Sequence, residues 1–443
     1  MTAPPSAPAR SGSTFMPSPA EPVFGYDVGI VGLGYVGLPT TLAFHTAGHS
    51  VVGFDVSEGR LEDIRAGRVD LLESDRDRLK AALDAPAGTY ELSSDLCRLA
   101  QTRVVIVCVP TPVDEHLVPD LTILNRACAA VVAQAVRGQV LILTSTTYVG
   151  ATAELLVGPL ADRGLRAGVD IAVAFSPERI NPGNDAHAHE SVPRVVGGAT
   201  PDCTDKAARA LSGYALTVHP VSSSGAAEMT KLVENTFRAV NIALANELAE
   251  IAGALDLDVM EVITAAATKP YGFMPFFPGP GVGGHCIPCD PHYLLWQLRK
   301  QRLSTPVIEQ AMNSIAGRPR RVVERCAETL AAAGRRVAGA RVLVVGVTYK
   351  PDVADVRESP AVEILAQLSM QGAHIGYHDP LVAHLSLPLG TRLTHITDPV
   401  AFGADLVVVH TTHACLDLDW LAAAPAVLDT TYRMTGLPRR VVV

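Results

Sequence analysis

Between Tyr26 and Asp55 the chain runs through an apolar strand (Tyr26 to Val31), a glycine-rich turn, an apolar helix (about Leu38 to Ala47) and a second strand (Ser50 to Phe54) that closes on an acid. The turn reads GLGYVG, Gly32 to Gly37. Few folds accept that order. A strand that turns sharply into a helix and returns as a strand makes a right-handed parallel unit. Glycine at Gly32, Gly34 and Gly37 permits the tight turn, the close approach of a diphosphate and the contact of helix with strand. Tyr35 and Val36 lie in the same turn, ahead of a helix N-terminus that favours negative phosphates. Asp55 is placed to bind adenosine ribose hydroxyls and to repel a 2′-phosphate, which favours NAD over NADP. Arg60, just beyond it, joins the candidate cofactor residues. The alternative is a glycine-rich turn in some other α/β domain.

Further strands are expected at Val104 to Val109, Val140 to Thr144 and Ile171 to Phe175. Each ends in polar or turn residues: Pro110–Thr111–Pro112, Ser145–Thr146–Thr147, and Ser176–Pro177–Glu178–Arg179. Ligands of open parallel sheets bind beyond the strand C-terminal ends, so the three turns point to one shared site. Taken singly, each reads as ordinary loop punctuation.

From Ala226 to about Leu255 apolar residues recur near a period of 3.6, through Met229, Leu232 or Val233, Phe237, Val240, Leu244, Leu248, Ile251 and Leu255. A helix of that length spans roughly 45 Å, enough to bridge two domains or form a dimer seam. Lys231 and Asn235 share one face of it, and spacing alone makes them a solvated polar stripe. A second α/β unit begins at Arg341, with YKPDVADVRESPA from Tyr349, a helix at Ala361 to Leu368 and a strand His374 to His378 closing on Asp379. The expected fold class is therefore α/β, two Rossmann-like doubly wound domains joined by a long central helix. The boundaries are drawn at 25–218, 219–322 and 323–443, after a disordered Ala/Pro/Ser-rich tail at 1–24.

Between the two units lies GVGGHCIPCDPHY, Gly281 to Tyr293. Glycines and prolines make a rigid loop that presents Cys286, with Asp290 four residues on. Such a loop suits covalent catalysis, where a thiolate is held against an electrophilic carbon. It equally suits a small structural cysteine in a turn.

A chain of 443 residues, 48% hydrophobic, can bury sizeable cores. A net charge of −9 without a long basic run argues against nucleic acid as a partner. The mean hydropathy of +0.24 reflects Ala and Val, and no apolar run reaches membrane-spanning length. Eight scattered cysteines without paired metal spacing fit a reduced, cytoplasmic protein and predict no metal site.

Taken together, GLGYVGLP, SPER, KLVENTF, GVGGHCIPCDP and YKPDVADVRESPA resemble the nucleotide-sugar 6-dehydrogenases of the UDP-glucose/GDP-mannose dehydrogenase superfamily, from about Asp27 to the C-terminus. The resemblance implies two successive NAD-dependent oxidations of the C6 alcohol of a UDP-sugar to a carboxylate. It makes Cys286 the nucleophile, Lys231 and Asn235 the oxyanion donors, Asp290 and Thr146 the holders of the hydrolytic water, and Glu178 the general base. Cys286 should then carry a lowered pKa if Lys231 lies nearby. Substrate contacts are implied for Glu178, Arg179, Lys231, Asn235, Phe276, Gly281, Gly283, Tyr349 and Lys350. From the length of the central helix a homodimer through it is expected, while an Arg357–Glu358 pair reads as structural.

Pro182 and Cys289 stand where the UDP-glucose enzymes tend to have glutamate and lysine. SPERINPGN and PYGFMPFFPGPGVGGHCIP are closer to the UDP-N-acetylhexosamine branch, above all UDP-N-acetylglucosamine 6-dehydrogenases. After the strand ending at Asp429, Arg433 stands later than the family's phosphate-contacting arginine. Cys286 and Cys289 also form a CxxC, and His285 adjoins the nucleophile. UDP-glucose oxidation, a two-electron hydroxyacid-type dehydrogenase and a non-catalytic nucleotide-sugar binder remain the alternatives.

Overall fold

The computed structural model describes residues 23–443 except 70, 72, 180–188 and 285. The tail before residue 23, Pro182 and His285 thus lie outside the described residues.

The N-terminal unit is built on eight strands: β1 (Tyr26–Val31), β2 (Val51–Phe54), β3 (Tyr90–Ser93), β4 (Thr102–Val107), β5 (Val140–Leu143), β6 (Ala172–Phe175), β7 (Arg194–Gly198) and β8 (Val218–Pro220). Their order is β3-β2-β1-β4-β5-β6-β7-β8, and only the β6–β7 pairing is antiparallel. Sequence explains the burial. The inner strands β1, β4 and β5 are runs of Val, Ile and Leu rather than alternating patterns, as expected where helices cover both faces. On β4, Val104 and Ile106 enter one core while Val105 and Val107 enter the other; Ile142 and Leu141 divide likewise on β5.

The C-terminal unit repeats the plan with β9 (Arg341–Val345) and β10 (His374–His378), a small antiparallel pair β11 (His384–Ser386) and β12 (Arg392–Thr394), then β13 (Leu406–Val409), β14 (Val427–Asp429) and β15 (Arg440–Val442). Its five-stranded parallel sheet has the order β10-β9-β13-β14-β15.

The 31-residue central helix, Ser224–Ala254, joins the units. Ser223 caps it by accepting the Ala226 amide through Oγ (3.1 Å). Its periodic apolar residues divide: Met229, Leu232 and Val240 pack inward, but most of the later ones do not. Phe237, Leu244, Leu248, Ile251 and Leu255 are exposed, and the buried face is made of Ala227, Ala239, Ala243 and Ala249 with Glu228 and Lys231. Alanines let the helix Pro306–Ala332 pack close against it. The boundary drawn at residue 322 falls inside that second helix. Buried Arg318 on it reaches three regions at once, donating to Gly279 O (3.0 Å), the Glu250 carboxylate (3.2 Å) and the Tyr432 hydroxyl (2.9 Å).

Candidate active site

The Gly32–Gly37 turn has the shape its glycines predict. Gly32 sits at φ 93°, and a Cβ there would lie 2.8 Å from Cys108 O; a Cβ on Gly37 would lie 1.8 Å from Gly32 O. Gly34 differs, because a Cβ there would meet nothing within 4 Å. The protein itself does not require glycine at that position, whereas a closely approaching diphosphate would. Asp55 holds the turn by accepting the Leu33 amide (3.0 Å) and the Ser57 amide (3.0 Å). Arg60 donates to Leu33 O (3.0 Å), so it braces the turn from outside. The helix beginning at Gly37 has no side-chain cap, although its Leu38 amide already donates to Gly34 O (3.2 Å), and the positive end of its dipole still points at the turn. These features fit NAD.

The three polar turns stand side by side because β4, β5 and β6 are neighbours. Ser145 Oγ donates to Val109 O (2.8 Å), and Thr111 O accepts from Tyr293 (3.0 Å). Pro110 precedes that carbonyl. Thr146 is half-buried between Ser145 and Thr147 and makes no side-chain hydrogen bond among the described residues. Glu228, which the sequence did not single out, fixes this region. Wholly buried on the central helix, it accepts from Gly150 N (2.6 Å), Thr152 N (2.8 Å) and Thr152 Oγ1 (2.6 Å).

In the third turn, the carboxylate of the expected general base Glu178 is held by other groups. Its carboxylate accepts from Arg194, a pair buried on both sides (2.8 Å), and from the Arg179 amide (2.7 Å). Its carbonyl instead accepts from Lys231 Nζ (2.7 Å). Arg179 pairs with Glu234 (2.7 Å). Arg194 lies in sequence far from every motif, so nothing but the fold could reveal it.

The cysteine loop closes on the same helix face. Asp290, buried at the first turn of the helix Asp290–Lys300, accepts from Asn235 Nδ2, and its amide donates to Cys286 O (2.8 Å). Burial pushes its carboxyl up to about 6, against the pull of Lys231 and Asn235. Cys286 itself reaches solvent, yet the crowded cleft walls still desolvate its thiolate. That desolvation and the nearby Asp290 carboxylate raise its pKa, outweighing Lys231 and Arg238. The expectation of a lowered pKa is therefore corrected: Lys231 is near, but it does not win. Cys289 is buried, and its thiol is pushed up to about 12 chiefly by burial, which makes it a poor thiolate.

Arg238 is the residue most easily missed. It follows Lys231 and Asn235 on one helix face, at the seventh and third positions beyond them. It is exposed, and its charge acts on both Cys286 and Lys350. Lys350 has a lowered pKa, first through burial and then through Arg238.

The C-terminal unit supplies the other wall. A Cβ on Gly283 would lie 2.6 Å from Tyr349 Cβ, and one on Gly284 2.9 Å from the Tyr349 ring. Gly281 packs equally tightly on Pro360 (2.8 Å). The cysteine loop thus needs glycine because Tyr349 lies against it. Arg357 pairs with Asp355 rather than Glu358, and its guanidinium stacks 4.9 Å over the ring of Tyr35. It spans from the C-terminal unit to the phosphate turn, so its role is wider than a local pair. Phe276 packs edge-on against Phe237 of the central helix (5.9 Å). At the C-terminal turn Asp429 is taken by Arg440 (3.0 Å), while Arg433 is exposed.

Models of the UDP-glucose/GDP-mannose dehydrogenase family match residues 26–214 as the NAD binding domain, 225–314 as the central domain and 343–435 as the UDP binding domain. A UDP-N-acetyl-D-glucosamine 6-dehydrogenase of Pseudomonas aeruginosa is 36% identical over 391 residues, 87% of this chain and 90% of that protein. A UDP-N-acetyl-D-mannosamine dehydrogenase of Pyrococcus horikoshii is 34% identical over 394 residues, 87% of this chain and 89% of that one. The solved structure of a UDP-D-ManNAc dehydrogenase from Pyrococcus horikoshii superposes with a TM-score of 0.84 at 29% identity, covering 94% of this chain and 98% of the other. With its three domains matched in order and a phosphate turn, a cysteine loop and a second nucleotide-type unit meeting at one cleft, the chain belongs to the UDP-glucose/GDP-mannose dehydrogenase family.

Proposed function

We propose that the protein oxidises C6 of a UDP-N-acetylhexosamine, UDP-N-acetylglucosamine first among them, to the uronic acid in two NAD-dependent steps. The observation that carries this reading is the convergence of Cys286, Lys231, Asn235 and Asp290 beneath Tyr349 of the C-terminal unit. Relatives named for UDP-N-acetylglucosamine, UDP-N-acetylmannosamine and NDP-N-acetylgalactosaminuronic acid support the acetamido sugars as a class.

NAD, when bound, supplies hydride acceptance for both oxidations. The chain supplies the rest. Cys286 Sγ adds to the C6 aldehyde, forming a C–S bond as the thiol proton passes to the C6 oxygen. Loss of a second hydride and a proton leaves a thioester. Lys231 and Asn235 donate to the C6 oxygen while it carries negative charge. A water then displaces Cys286, giving the carboxylate and restoring the thiol. Asp290, titrating near 6, is matched to take the proton of that water, with Thr146 on the neighbouring turn helping to orient it. Glu178, held by Arg194, positions Lys231 through its carbonyl. Tyr349, Lys350, Arg238 and the Gly281–Gly284 loop line the substrate cleft. The balance is one alcohol, one water and two NAD in; one acid and two NADH out, with the protons released.

A homodimer fits the exposed apolar stripe from Phe237 to Leu255 on the central helix. No helix among the described residues is long and apolar enough to cross a membrane.

The test is NADH release with UDP-glucose, UDP-galactose and the UDP-N-acetylhexosamines. We expect two NADH per acetamido sugar and, for Cys286→Ser, no acid. One NADH with release of aldehyde from the unaltered protein overturns the mechanism, and a preference for UDP-glucose overturns the substrate assignment.

A further inference from the structure

His413 follows β13 in the loop Thr411–Leu416, and its side chain is completely enclosed. Both ring nitrogens are used. Nε2 lies 3.1 Å from Asp379 Oδ2, and Nδ1 accepts the backbone amide of Asp352 at 2.9 Å. An Nδ1 that accepts carries no proton, so the proton sits on Nε2 and points at Asp379. Asp379 is itself fixed, accepting the amides of Val347 (2.7 Å) and Leu381 (2.9 Å).

The residue held at the other end is strained. Asp352 has φ 60°, the left-handed region that a non-glycine residue enters only at a cost. Two bonds keep it there: its amide to His413, and the Ala414 amide to its Oδ1 (2.8 Å). Thr348 Oγ1 donates to Lys350 O (2.9 Å), closing the same turn from the other side. The strained turn therefore wraps around one imidazole, and the residues it projects are Tyr349 and Lys350. Tyr349 lies against Gly283 and Gly284 of the cysteine loop, and Lys350 is half-buried within electrostatic reach of Arg238.

We infer that His413 is a positioning residue for the substrate: it relays the fixed carboxylate of Asp379 to the amide of Asp352 and so sets Tyr349 and Lys350 over the cleft. The inference rests on the proposed reading of Tyr349 and Lys350 as nucleotide-sugar contacts. His413 touches no substrate and acts only through the turn.

Two amide substitutions divide its bonds. In His413→Asn the side-chain oxygen can stand where Nδ1 stands and still accept from Asp352. In His413→Gln the side-chain amide reaches the Nε2 position, keeping the bond to Asp379 and losing the acceptor. We expect His413→Gln to raise KM for the UDP-sugar and Kd for UDP about tenfold, with kcat and KM for NAD within about twofold. His413→Asn should restore most of the UDP affinity. Equal KM and Kd values in the two variants, or a loss of NAD affinity matching that of UDP, would overturn the inference. Calorimetry with UDP alone separates it from the functional reading. If the unaltered protein does not bind UDP, the reading of the cleft fails; if it binds and His413→Gln binds as well, only the role of His413 fails. Should both variants misfold, amide exchange of the unaltered protein decides. The Asp352 amide should exchange slowly without UDP, and fast exchange there excludes the anchor.

Discussion

In both α/β units the first strand ends at a glycine with positive φ, Gly32 at 93° and Gly346 at 72°. The amide of each donates to the last carbonyl of the second strand, Phe54 at 2.8 Å and His378 at 2.9 Å. The acid that closes that strand takes the next amide: Asp55 from Leu33, Asp379 from Val347. Its other oxygen takes the amide two residues on, from Ser57 and Leu381 respectively. The repeat then breaks. Asp55 is half-buried and open on one side, whereas Asp379 is fully enclosed and met by His413. One backbone geometry thus yields a half-buried acid in one unit and an internal anchor in the other. The difference is made by whichever side chain the sheet brings above the carboxylate.

The largest expected effect breaks this comparison at its acids. Burial pushes the Asp379 carboxyl up, but the bonds from His413, Val347 and Leu381 outweigh it and hold it below the usual range. Asp379→Asn leaves those donors facing an amide, so urea unfolding should show a loss of about 3–5 kcal/mol. A depressed folded pKa gives stability that is present above the unfolded carboxylate value and lost as pH falls through the folded one. The acid limb of the stability curve should therefore flatten in this variant. Asp55→Asn should change unfolding little and instead raise KM for NAD. Equal losses of stability would show that the two acids do the same job.

A second test adds an acid that is buried without a cage. Asp290 has one side-chain donor, Asn235, and its carboxyl is pushed up to about 6. Here the sign reverses. The folded state holds its proton to higher pH than the unfolded chain, so stability falls as pH rises from about 4 to about 6. A carboxyl moved from 3.8 to about 6 costs about 3 kcal/mol when ionised. Asp290→Asn should therefore raise the thermal midpoint at pH 8 and leave it unchanged below pH 4. If Asp290 also serves thioester hydrolysis, the variant should form NADH yet release acid on the order of 10²-fold more slowly. A variant that is less stable at pH 8 would put Asp290 in the class of Asp379.

How much of this was legible in the sequence depends on the range of the interaction. The Gly32 turn, Asp55 and the cysteine loop announce themselves because each is set by neighbours in the chain. The two sheets follow from apolar runs that alternate between two cores. Side chains that meet across the fold were not legible. Nothing near SPER marks Arg194, which takes the Glu178 carboxylate, and nothing near GVGGHC indicates that burial overrides Lys231 at Cys286. Arg238 carries a signal in the sequence, its helical spacing from Lys231. The apolar period of the central helix was visible but its direction was not, since a period of 3.6 identifies a stripe and not the partner it faces.

The smallest effect lies where the two turns differ by a single side chain. Counting from Gly32 and Gly346, the position of Gly34 is taken by Thr348 in the C-terminal unit. Thr348 is buried, and its hydroxyl bonds to Lys350 O at 2.9 Å. Gly34 is exposed, its φ is not positive, and a Cβ there would touch nothing within 4 Å. Gly34→Ala should consequently gain about 0.4–1 kcal/mol, because alanine restricts the unfolded chain without straining the folded one. The same methyl would stand where a diphosphate has to approach the turn, so KM for NAD should rise while KM for the UDP-sugar holds. Gly34→Thr copies the C-terminal residue and should carry the same signature further. If either variant lost stability while keeping its affinity for NAD, the glycine would belong to the fold, and the contrast between an open turn and a filled one would be lost.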